Sequence, residues 1–208
     1  GPVVLPATDP GALAEAVLAM RSGGIVGIPT ETVYGIAVVP QPEALKAVIR
    51  AKQRPEDKGI ALLIDGLDQV DGLVEVSTSA RQLAERCWPG ALTLVLPLRR
   101  PGLVPDAITG GRDTLGLRVP DHPVPRALAR ELGPIAVTSA NRSGELPART
   151  AAELIDAVGA SLALVLDDGP VRGGVASTIV ALVADGSWSV LREGALDRAA
   201  IRTALEEG

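Results

Sequence analysis

The sequence contains no phenylalanine, one tyrosine, two tryptophans and one histidine. Because aromatic residues are so scarce, the core has to be filled by valine, leucine, isoleucine and alanine. Beyond Tyr34, Trp88 and Trp188, the chain has nothing for the row of stacked aromatic side chains that single-strand nucleic-acid binders use. The one histidine, His122, lies in a proline-flanked turn, so no Ser-His-Asp triad is indicated and we expect a structural role for it.

Cysteine is almost absent as well. Cys87 alone excludes a disulfide or a cysteine-based zinc site within the chain, and its place on the apolar face of a predicted helix indicates a core residue. A lone cysteine fits a reducing compartment, so we expect a cytoplasmic protein. The apolar runs are too short to span a membrane and no signal segment opens the chain, so no membrane contact is expected.

Acidic residues outnumber basic ones, 25 to 20, which gives a net charge of −5. This balance argues against broad, unspecific binding to nucleic acid, because that needs a basic face. It remains compatible with a local basic pocket. The opening Gly1-Pro2, without Met, is typical of the residues that a protease leaves after cleavage, so the predicted domain runs from residue 3 to 208.

The chain alternates predicted strands and helices for most of its length. A length of 208 residues suits one domain, and no linker, repeat or low-complexity tract divides it. Helices are predicted from Asp9-Pro10 to 22, and over 42–51, 79–87, 124–132, 150–158 and 197–206. Strands are predicted over 25–28, 36–39, 60–64, 92–96, 115–119, 135–138, 162–166, 177–182 and 187–191, the last two as a hairpin over Asp185-Gly186. This pattern predicts a single α/β domain with a twisted, open, mixed sheet and flanking helices.

Polar side chains gather where the predicted strands end. They are Thr30, Thr32, Arg118, Ser139, Asn141, Ser177, Thr178 and Arg192, joined by Lys52, Arg54 and Lys58 from a helix end and the loop after it. Since ligands of open α/β sheets sit beyond the carboxyl ends of strands, we expect these residues to line one basic cavity that takes an anion, most simply a polyphosphate. The segment 99–112, rich in proline, glycine and arginine, is a candidate mobile lid.

Each group also has a purely structural explanation. Lys52 and Arg54 could offset the dipole of the helix they end, Thr30 and Thr32 could cap a turn, and Ser139 and Asn141 could belong to an ordinary loop. The Gly-rich phosphate motifs G-x-x-x-x-G-K-[ST] and G-x-G-x-x-G are missing. Phosphate recognition would therefore depend on side-chain cations and hydroxyls.

Seven short motifs occur in one order along nearly the whole chain. They are P-T-E-T-V-Y-G at 29–35, K-x-R-P at 52–55, W-P-G-x-L-T at 88–93, L-R-V-P-x-H-P at 117–123, S-A-N-x-S-G at 139–144, S-T-I-V at 177–180 and R-E-G at 192–194. Each is weak alone, but together they resemble the YrdC-like family of threonylcarbamoyl-adenylate synthases. The chain stops at Gly208, so the resemblance is to the short form of that family, without the extra C-terminal domain that some members carry.

The resemblance implies a YrdC-like fold with a deep basic cavity and a nucleotidyltransferase activity. The expected substrates are L-threonine, bicarbonate and ATP with Mg²⁺, without an organic cofactor or a protein-bound metal site. The products are L-threonylcarbamoyl-AMP and pyrophosphate. A partner complex would then transfer the threonylcarbamoyl group to tRNA.

The resemblance also implies roles for individual residues. Lys52, Arg54, Lys58, Ser139, Asn141 and Arg192 would contact ATP, with Lys52 and Arg54 acting in catalysis. Thr32, Arg118 and Ser177 would hold threonine, which agrees with the need of a carboxylate for a bidentate cation. Glu31 is a candidate for binding metal or taking a proton. A glycine at 59 departs from the family pattern, in which K-P-L often follows K-x-R-P, and is expected to loosen the loop at Lys58.

Two other functions remain open at this point. The same cavity could accept the phosphate backbone of structured RNA, which would make the chain a non-catalytic binder with at least weak RNA contact; the acidic net charge counts against this. A related branch of the family could adenylate a carbamate on another acceptor.

Overall fold

The computed structural model describes residues 1–53, 55, 58–142 and 144–206. Arg54, which the sequence assigns to ATP and to catalysis, lies outside the described residues. Nothing in the described part of the chain forms a helix with the length and apolar character that crossing a bilayer requires.

Ten strands form one mixed sheet. They are β1 (Val3–Pro6), β2 (Val26–Pro29), β3 (Tyr34–Val38), β4 (Ala61–Leu63), β5 (Leu92–Pro97), β6 (Thr114–Arg118), β7 (Ile135–Ser139), β8 (Leu164–Asp167), β9 (Thr178–Leu182) and β10 (Trp188–Arg192). Their order across the sheet is β1-β8-β2-β3-β7-β4-β6-β5-β9-β10. The pairs β1–β8, β8–β2, β4–β6 and β5–β9 are parallel, and the other neighbours are antiparallel. The predicted open, mixed sheet with flanking helices is therefore confirmed.

Seven helices are described around this sheet. They are α1 (Ala12–Arg21), α2 (Pro42–Lys52), α3 (Thr78–Cys87), α4 (Asp106–Thr109), α5 (Pro123–Leu132), α6 (Ala151–Val158) and α7 (Arg198–Glu206), with 3₁₀ turns at Leu67–Val70 and Gly159–Ser161. α1 packs against α5, and α3 packs against α7. The start of α6 follows the sequence prediction, because the Thr150 hydroxyl accepts from the Glu153 amide at 3.1 Å.

Side-chain alternation along the strands separates two cores, one on each face of the sheet. In β3, Ile36 and Val38 belong to the larger core, together with buried side chains of α2, α3, α6 and α7. Ala37, between them, belongs to the smaller core with α1 and α5. The main contacts of α1 and α5 with the sheet are to strands β2, β4, β7 and β8, and neither helix makes a comparable contact with β6, β5 or β9. The short helix α4 contacts β6.

Three sequence predictions were wrong in their local detail. The first helix begins at Ala12 rather than at Asp9-Pro10, because Asp9 forms a turn in which its Oδ1 accepts from the Gly11 amide at 3.1 Å and its carbonyl accepts from the Ala12 amide at 3.0 Å. The strand β1 was missed, since it is short and exists only through its pairing with β8. The predicted loop 99–112 contains the short helix α4.

The larger core predicts the effect of a cavity mutation. Leu94 is fully buried in β5, so Leu94→Ala should lower the free energy of unfolding by about 2–5 kcal/mol. Leu18 of α1 is 62% exposed, and Leu18→Ala should change it by less than about 0.5 kcal/mol. Urea unfolding of the two variants and the parent measures this difference. Equal losses in both variants would contradict the position of Leu94 in the core.

Candidate functional site

The uncovered end of the sheet forms the floor of a cavity of about 620 Å³. The residues that reach it alternate along the strands, namely Ala61 and Leu63, Thr93 and Val95, Thr114, Gly116 and Arg118, Val137 and Ser139, and Ile179. In β5 the residues between them, Leu92, Leu94 and Leu96, point into the larger core. The cavity therefore lies on the face that α1 and α5 only half cover.

The charged residues that line this cavity are all basic. They are Lys58, Arg112, Arg118 and Arg192, and no aspartate or glutamate stands among the described lining residues. Threonine and serine hydroxyls and the Asn141 amide supply the rest of the polar lining. Such a surface suits an anion with several oxygen acceptors.

A neighbouring cavity of about 650 Å³ shares Pro147 with the first. Its charged lining carries both signs, with Arg142 and Arg149 next to Glu145, Glu153 and Asp156. Because these charges offset one another, this second cavity does not select an anion as the first one does.

Arg118 is the most deeply placed cation of the site. It ends β6, is 6% exposed, and donates from Nε to the Gly90 carbonyl at 2.9 Å and from Nη1 to the Thr32 hydroxyl at 3.1 Å. Its Nη2 donates to Glu31 Oε1 in an ion pair. Burial lowers the pKa of the Arg118 guanidinium; the Glu31 carboxylate opposes this shift, and nearby Arg192 adds to it.

The donors of Arg118 are only partly used by the protein. A guanidinium has five N–H groups, and the three bonds above take one from Nε and one from each terminal nitrogen. Two N–H groups, one on each terminal nitrogen, have no acceptor among the residues that the structure describes. That pair is what a carboxylate takes in a two-bond contact.

Ser177 connects Arg192 to the floor of the cavity. Its carbonyl accepts from Arg192 Nε at 3.1 Å and Nη2 at 2.8 Å, and its hydroxyl lies 2.7 Å from that of Thr93 and 3.3 Å from Arg192 Nη2. Partial burial lowers the pKa of Arg192. Ser177, which directly precedes β9, and Arg192, which ends β10, therefore lie together in one wall of the site.

Lys52 lies behind the wall rather than in it. Its side chain is 1% exposed, and Nζ donates to the Thr138 hydroxyl at 3.0 Å and to the Ser139 carbonyl at 2.7 Å. Thr138 and Ser139 line the cavity, so Lys52 supports the end of β7 from the C-terminus of α2. Its contact with ATP stays a prediction.

Asn141 and Lys58 complete the predicted set. The Asn141 amide nitrogen donates to the carbonyls of Arg142 at 2.9 Å and Glu145 at 2.8 Å, which closes the turn after β7. Lys58 also lines the cavity, and its neighbour Gly59 packs against α4: a Cβ at Gly59 would come within 2.9 Å of the Ile108 carbonyl. The expectation that this glycine loosens the loop at Lys58 stays a prediction.

The loop at residues 30–33 is built on Thr30. The Thr30 hydroxyl donates to the Val33 carbonyl at 2.6 Å and accepts from the amides of Thr32 at 3.2 Å and Val33 at 3.1 Å. The turn-capping explanation therefore holds for Thr30. Thr32 takes part in the same turn, since its hydroxyl lies 3.0 Å from that of Thr30, and the Thr32 hydroxyl also accepts from Arg118.

Sequence reasoning missed five polar residues that the fold brings to the site. Thr93, Thr114 and Thr138 are strand residues. The period-two alternation of β5 and β6, opposite buried leucines, could have indicated the first two, and Thr93 also ends the W-P-G-x-L-T motif. Arg112 and Thr109 come from the segment beside α4, and nothing local in the sequence distinguishes them from a surface loop.

His122 and Cys87 lie where a structural role was expected for them. His122 is the N-cap of α5: its Nδ1 accepts from the Val124 amide at 3.1 Å, and Nε2 lies 3.0 Å from Asp168 Oδ2. Cys87 packs against the larger core at the end of α3, and burial raises the pKa of its thiol. No group of three or more histidine, cysteine, aspartate or glutamate side chains suited to a metal was found in the described part of the chain.

An open mixed sheet with flanking helices and a cavity whose charged lining residues are all basic defines this chain as an α/β protein. The family model Sua5_yciO_yrdC, which carries the description "Telomere recombination", matches residues 18–194. The chain belongs to this Sua5/YciO/YrdC family, as its motifs indicated.

Relatives named threonylcarbamoyl-AMP synthase agree with this assignment. The chain is 37% identical to the one of Bacillus subtilis over 196 residues and 40% identical to that of Idiomarina loihiensis over 168 residues. These alignments cover 93% and 78% of this chain, and 56% and 88% of the two relatives. The chain thus spans little more than half of the Bacillus subtilis protein.

Two solved structures share the fold. Pyrococcus abyssi Sua5 complexed with L-threonine superposes with a TM-score of 0.88 and 34% identity, over 97% of this chain and 59% of that chain. Escherichia coli YciO superposes with a TM-score of 0.82 and 25% identity, over 96% of this chain and 97% of that one. The overall fold is therefore shared with these two solved structures.

The single tyrosine offers a direct test of the loop that precedes β3. Tyr34 is fully buried; its hydroxyl donates to the Gly169 carbonyl at 2.7 Å and accepts from the Asp168 amide at 3.1 Å. Burial raises the pKa of Tyr34 to about 12, so its absorbance should titrate there in the folded protein and near about 10 in denaturant. Because raised pKa means that folding favours the neutral phenol, this contribution to stability is complete below about pH 10 and lost as pH rises toward 12. A midpoint near 10 in the folded protein would contradict this packing.

Proposed function

We propose that this chain is a threonylcarbamoyl-AMP synthase, which forms L-threonylcarbamoyl-AMP and pyrophosphate from L-threonine, bicarbonate and ATP. The observation that carries the proposal is Arg118, a buried cation with one N–H left on each terminal nitrogen, in a cavity whose other described polar side chains are cations, hydroxyls and an amide. The names of the relatives and the L-threonine complex of the Pyrococcus abyssi protein support the choice of substrate.

The amino-acid subsite would lie at the junction of β5, β6 and β9. Arg118 takes the carboxylate of threonine in a two-bond contact, and the hydroxyls of Thr32 and Ser177 contact its polar atoms. All three side chains are nearly inaccessible to solvent, at 6%, 2% and 6% exposure in that order. They are held in place before substrate arrives, which reduces the entropy lost on binding.

The ATP subsite would use the walls on either side. Arg192 and Lys58 contribute charge, Ser139 and Asn141 contribute hydrogen bonds, and Lys52 holds the Ser139 turn from behind. Arg112, which the sequence analysis did not single out, adds a further cation. Arg54 belongs to the same proposal on the strength of the K-x-R-P motif alone.

The proposed reaction depends more on the positioning of the two reactants than on a catalytic base. The threonine amine adds to the carbon of bicarbonate, and loss of water leaves a carbamate. A carbamate oxygen then attacks the α-phosphorus of ATP, and the bond to the β-phosphate breaks as pyrophosphate leaves. Since the attacking carbamate is already an anion, cations that neutralise the growing charge and hold the two reactants in line supply the catalysis.

Mg²⁺ would enter with the nucleotide. The described cavity lining offers hydroxyl and amide oxygens but no carboxylate, so its donor set does not form a protein cage for the ion. The triphosphate oxygens would hold it, and the Ser139 hydroxyl and the Asn141 amide oxygen are the protein groups that would contribute further oxygen contacts. Bound there, Mg²⁺ supplies charge neutralisation of the phosphates.

The product is a mixed anhydride that an amine can attack. We propose that a tRNA threonylcarbamoyltransferase complex consumes it to make threonylcarbamoyladenosine, which would place the chain in the cytoplasm with its tRNA partners. Weak direct contact with RNA stays a prediction. Nothing in the geometry favours a non-catalytic RNA binder.

Pyrophosphate release tests the proposed function. ATP with L-threonine and bicarbonate should give pyrophosphate, and omission of either should reduce release to the background rate. Replacing L-threonine by L-serine or L-valine tests the alternative hypothesis that the protein adenylates a carbamate on another acceptor. Release that does not depend on L-threonine would refute the proposal.

Single substitutions should separate the two subsites. Arg118→Ala should raise the KM for L-threonine roughly 10–100-fold, because two charged hydrogen bonds to the carboxylate are lost. Arg192→Ala should instead raise the KM for ATP more than that for L-threonine. Arg202→Ala, which removes an exposed cation on α7, is the matched control and should leave both values unchanged. If Arg192→Ala raised the KM for L-threonine more than the KM for ATP, Arg192 would belong to the amino-acid subsite and this assignment would be wrong.

A further inference from the structure

Glu31 contacts the substrate-facing cation without lining the cavity itself. Both of its carboxylate oxygens are engaged: Oε1 accepts from Arg118 Nη2, and Oε2 accepts from the Asp121 backbone amide at 2.5 Å. Arg118 lines the cavity, whereas Glu31 is not among the lining residues. Its carboxylate therefore supports the guanidinium from outside the described cavity lining. The metal-binding or proton-accepting role considered from the sequence stays a prediction.

The three acceptors around Arg118 fix the plane of a rigid, planar group. The Gly90 carbonyl holds Nε, the Thr32 hydroxyl holds Nη1 and the Glu31 carboxylate holds Nη2. Glu31 is the only charged one of the three. Without it the Nη2 end would keep two unpaired N–H groups, and the guanidinium could turn its fork away from the cavity to pair them.

Glu31 also compensates charge. The guanidinium of Arg118 is buried and lies close enough to Arg192 for their repulsion to lower its pKa, while the Glu31 carboxylate acts in the opposite direction. Two cations can share a small cavity more easily when one has a fixed counterion. The carboxylate thus keeps Arg118 from orienting toward other acceptors in the wall.

The position of Glu31 is set by its backbone as well. Its carbonyl accepts from the Gly173 amide at 3.2 Å, and the neighbouring Thr32 carbonyl accepts from the Gly174 amide at 2.7 Å. The approach is so close that a Cβ on Gly173 would lie 3.0 Å from the Glu31 carbonyl oxygen. These backbone bonds do not depend on the carboxylate, so a substitution of the side chain should leave the loop in place.

We propose that Glu31 is a positioning residue: it orients Arg118 so that one N–H of each terminal nitrogen faces the cavity, and so sets the affinity of the site for the amino-acid carboxylate. This inference rests on the proposed function, because it takes that carboxylate as the ligand of Arg118. It assigns Glu31 to substrate recognition and not to the chemical step.

Glu31→Gln is the sharpest test. Glutamine keeps the size of the side chain and one acceptor for Arg118 Nη2, but it removes the charge and points an N–H at the Asp121 amide. We expect roughly 10-fold weaker binding of L-threonine by calorimetry, a matching rise in its KM, and values for kcat and for the KM of ATP within about 2-fold of the parent. Glu31→Asp, which keeps the charge on a shorter arm, should recover part of the affinity.

Glu43→Gln is the matched control, since it removes the same charge from a side chain that is 88% exposed on α2 and should change none of these values. Thermal unfolding of each variant shows whether the fold is intact. Unchanged L-threonine affinity in Glu31→Gln, or equal losses for L-threonine and ATP, would overturn the inference while leaving the proposed function standing. Failure of the parent protein to bind L-threonine at all would overturn both.

Discussion

The guanidinium buried at the end of a central strand fixes the positions of the loops that supply its hydrogen-bond acceptors. Arg118 is 6% exposed, and a cation removed from water has to find acceptors or it destabilises the fold. Two separate segments provide them: the Gly90 carbonyl comes from before β5, and the Glu31 carboxylate and the Thr32 hydroxyl come from the loop before β3. The hydrogen bonds of Arg118 therefore join loops that are far apart in the chain. Arg118 lines the cavity with the two N–H groups that these bonds do not use.

The cavity itself exists because one face of the sheet is only partly covered. Helices α1 and α5 pack mainly against β2, β4, β7 and β8 and make no comparable contact with β6, β5 and β9, where the short helix α4 contacts β6 and lines the cavity. Strand positions that would normally be core are instead Thr93, Thr114 and Gly116 there. Polar and small side chains on a sheet face would be costly under a helix, but they suit a surface that a polar ligand will cover.

The local elements followed from the sequence wherever a local signal specifies them. Turn residues located the hairpin over Asp185-Gly186, Pro42 marked the first turn of α2, and Thr150 capped α6. The short edge strand β1 had no such signal, because only its partner β8 makes it a strand. Likewise, Asp9-Pro10 is typical of a helix start, but here the Asp9 side chain caps a turn that precedes α1. A residue that favours helix caps can therefore cap a separate turn just before the helix.

The ordered motifs identified the family, and they contain most of the polar residues that line the cavity, since each motif carries side chains whose chemistry is visible in isolation. Seven of the predicted residues, Thr32, Lys58, Arg118, Ser139, Asn141, Ser177 and Arg192, do meet at one cavity. What only the tertiary structure decided is which of them face the ligand and which hold the others. Lys52 and Glu31 look like site residues in the sequence, yet each contacts a lining residue from outside, because the direction of a side chain depends on packing between distant segments that no local pattern encodes.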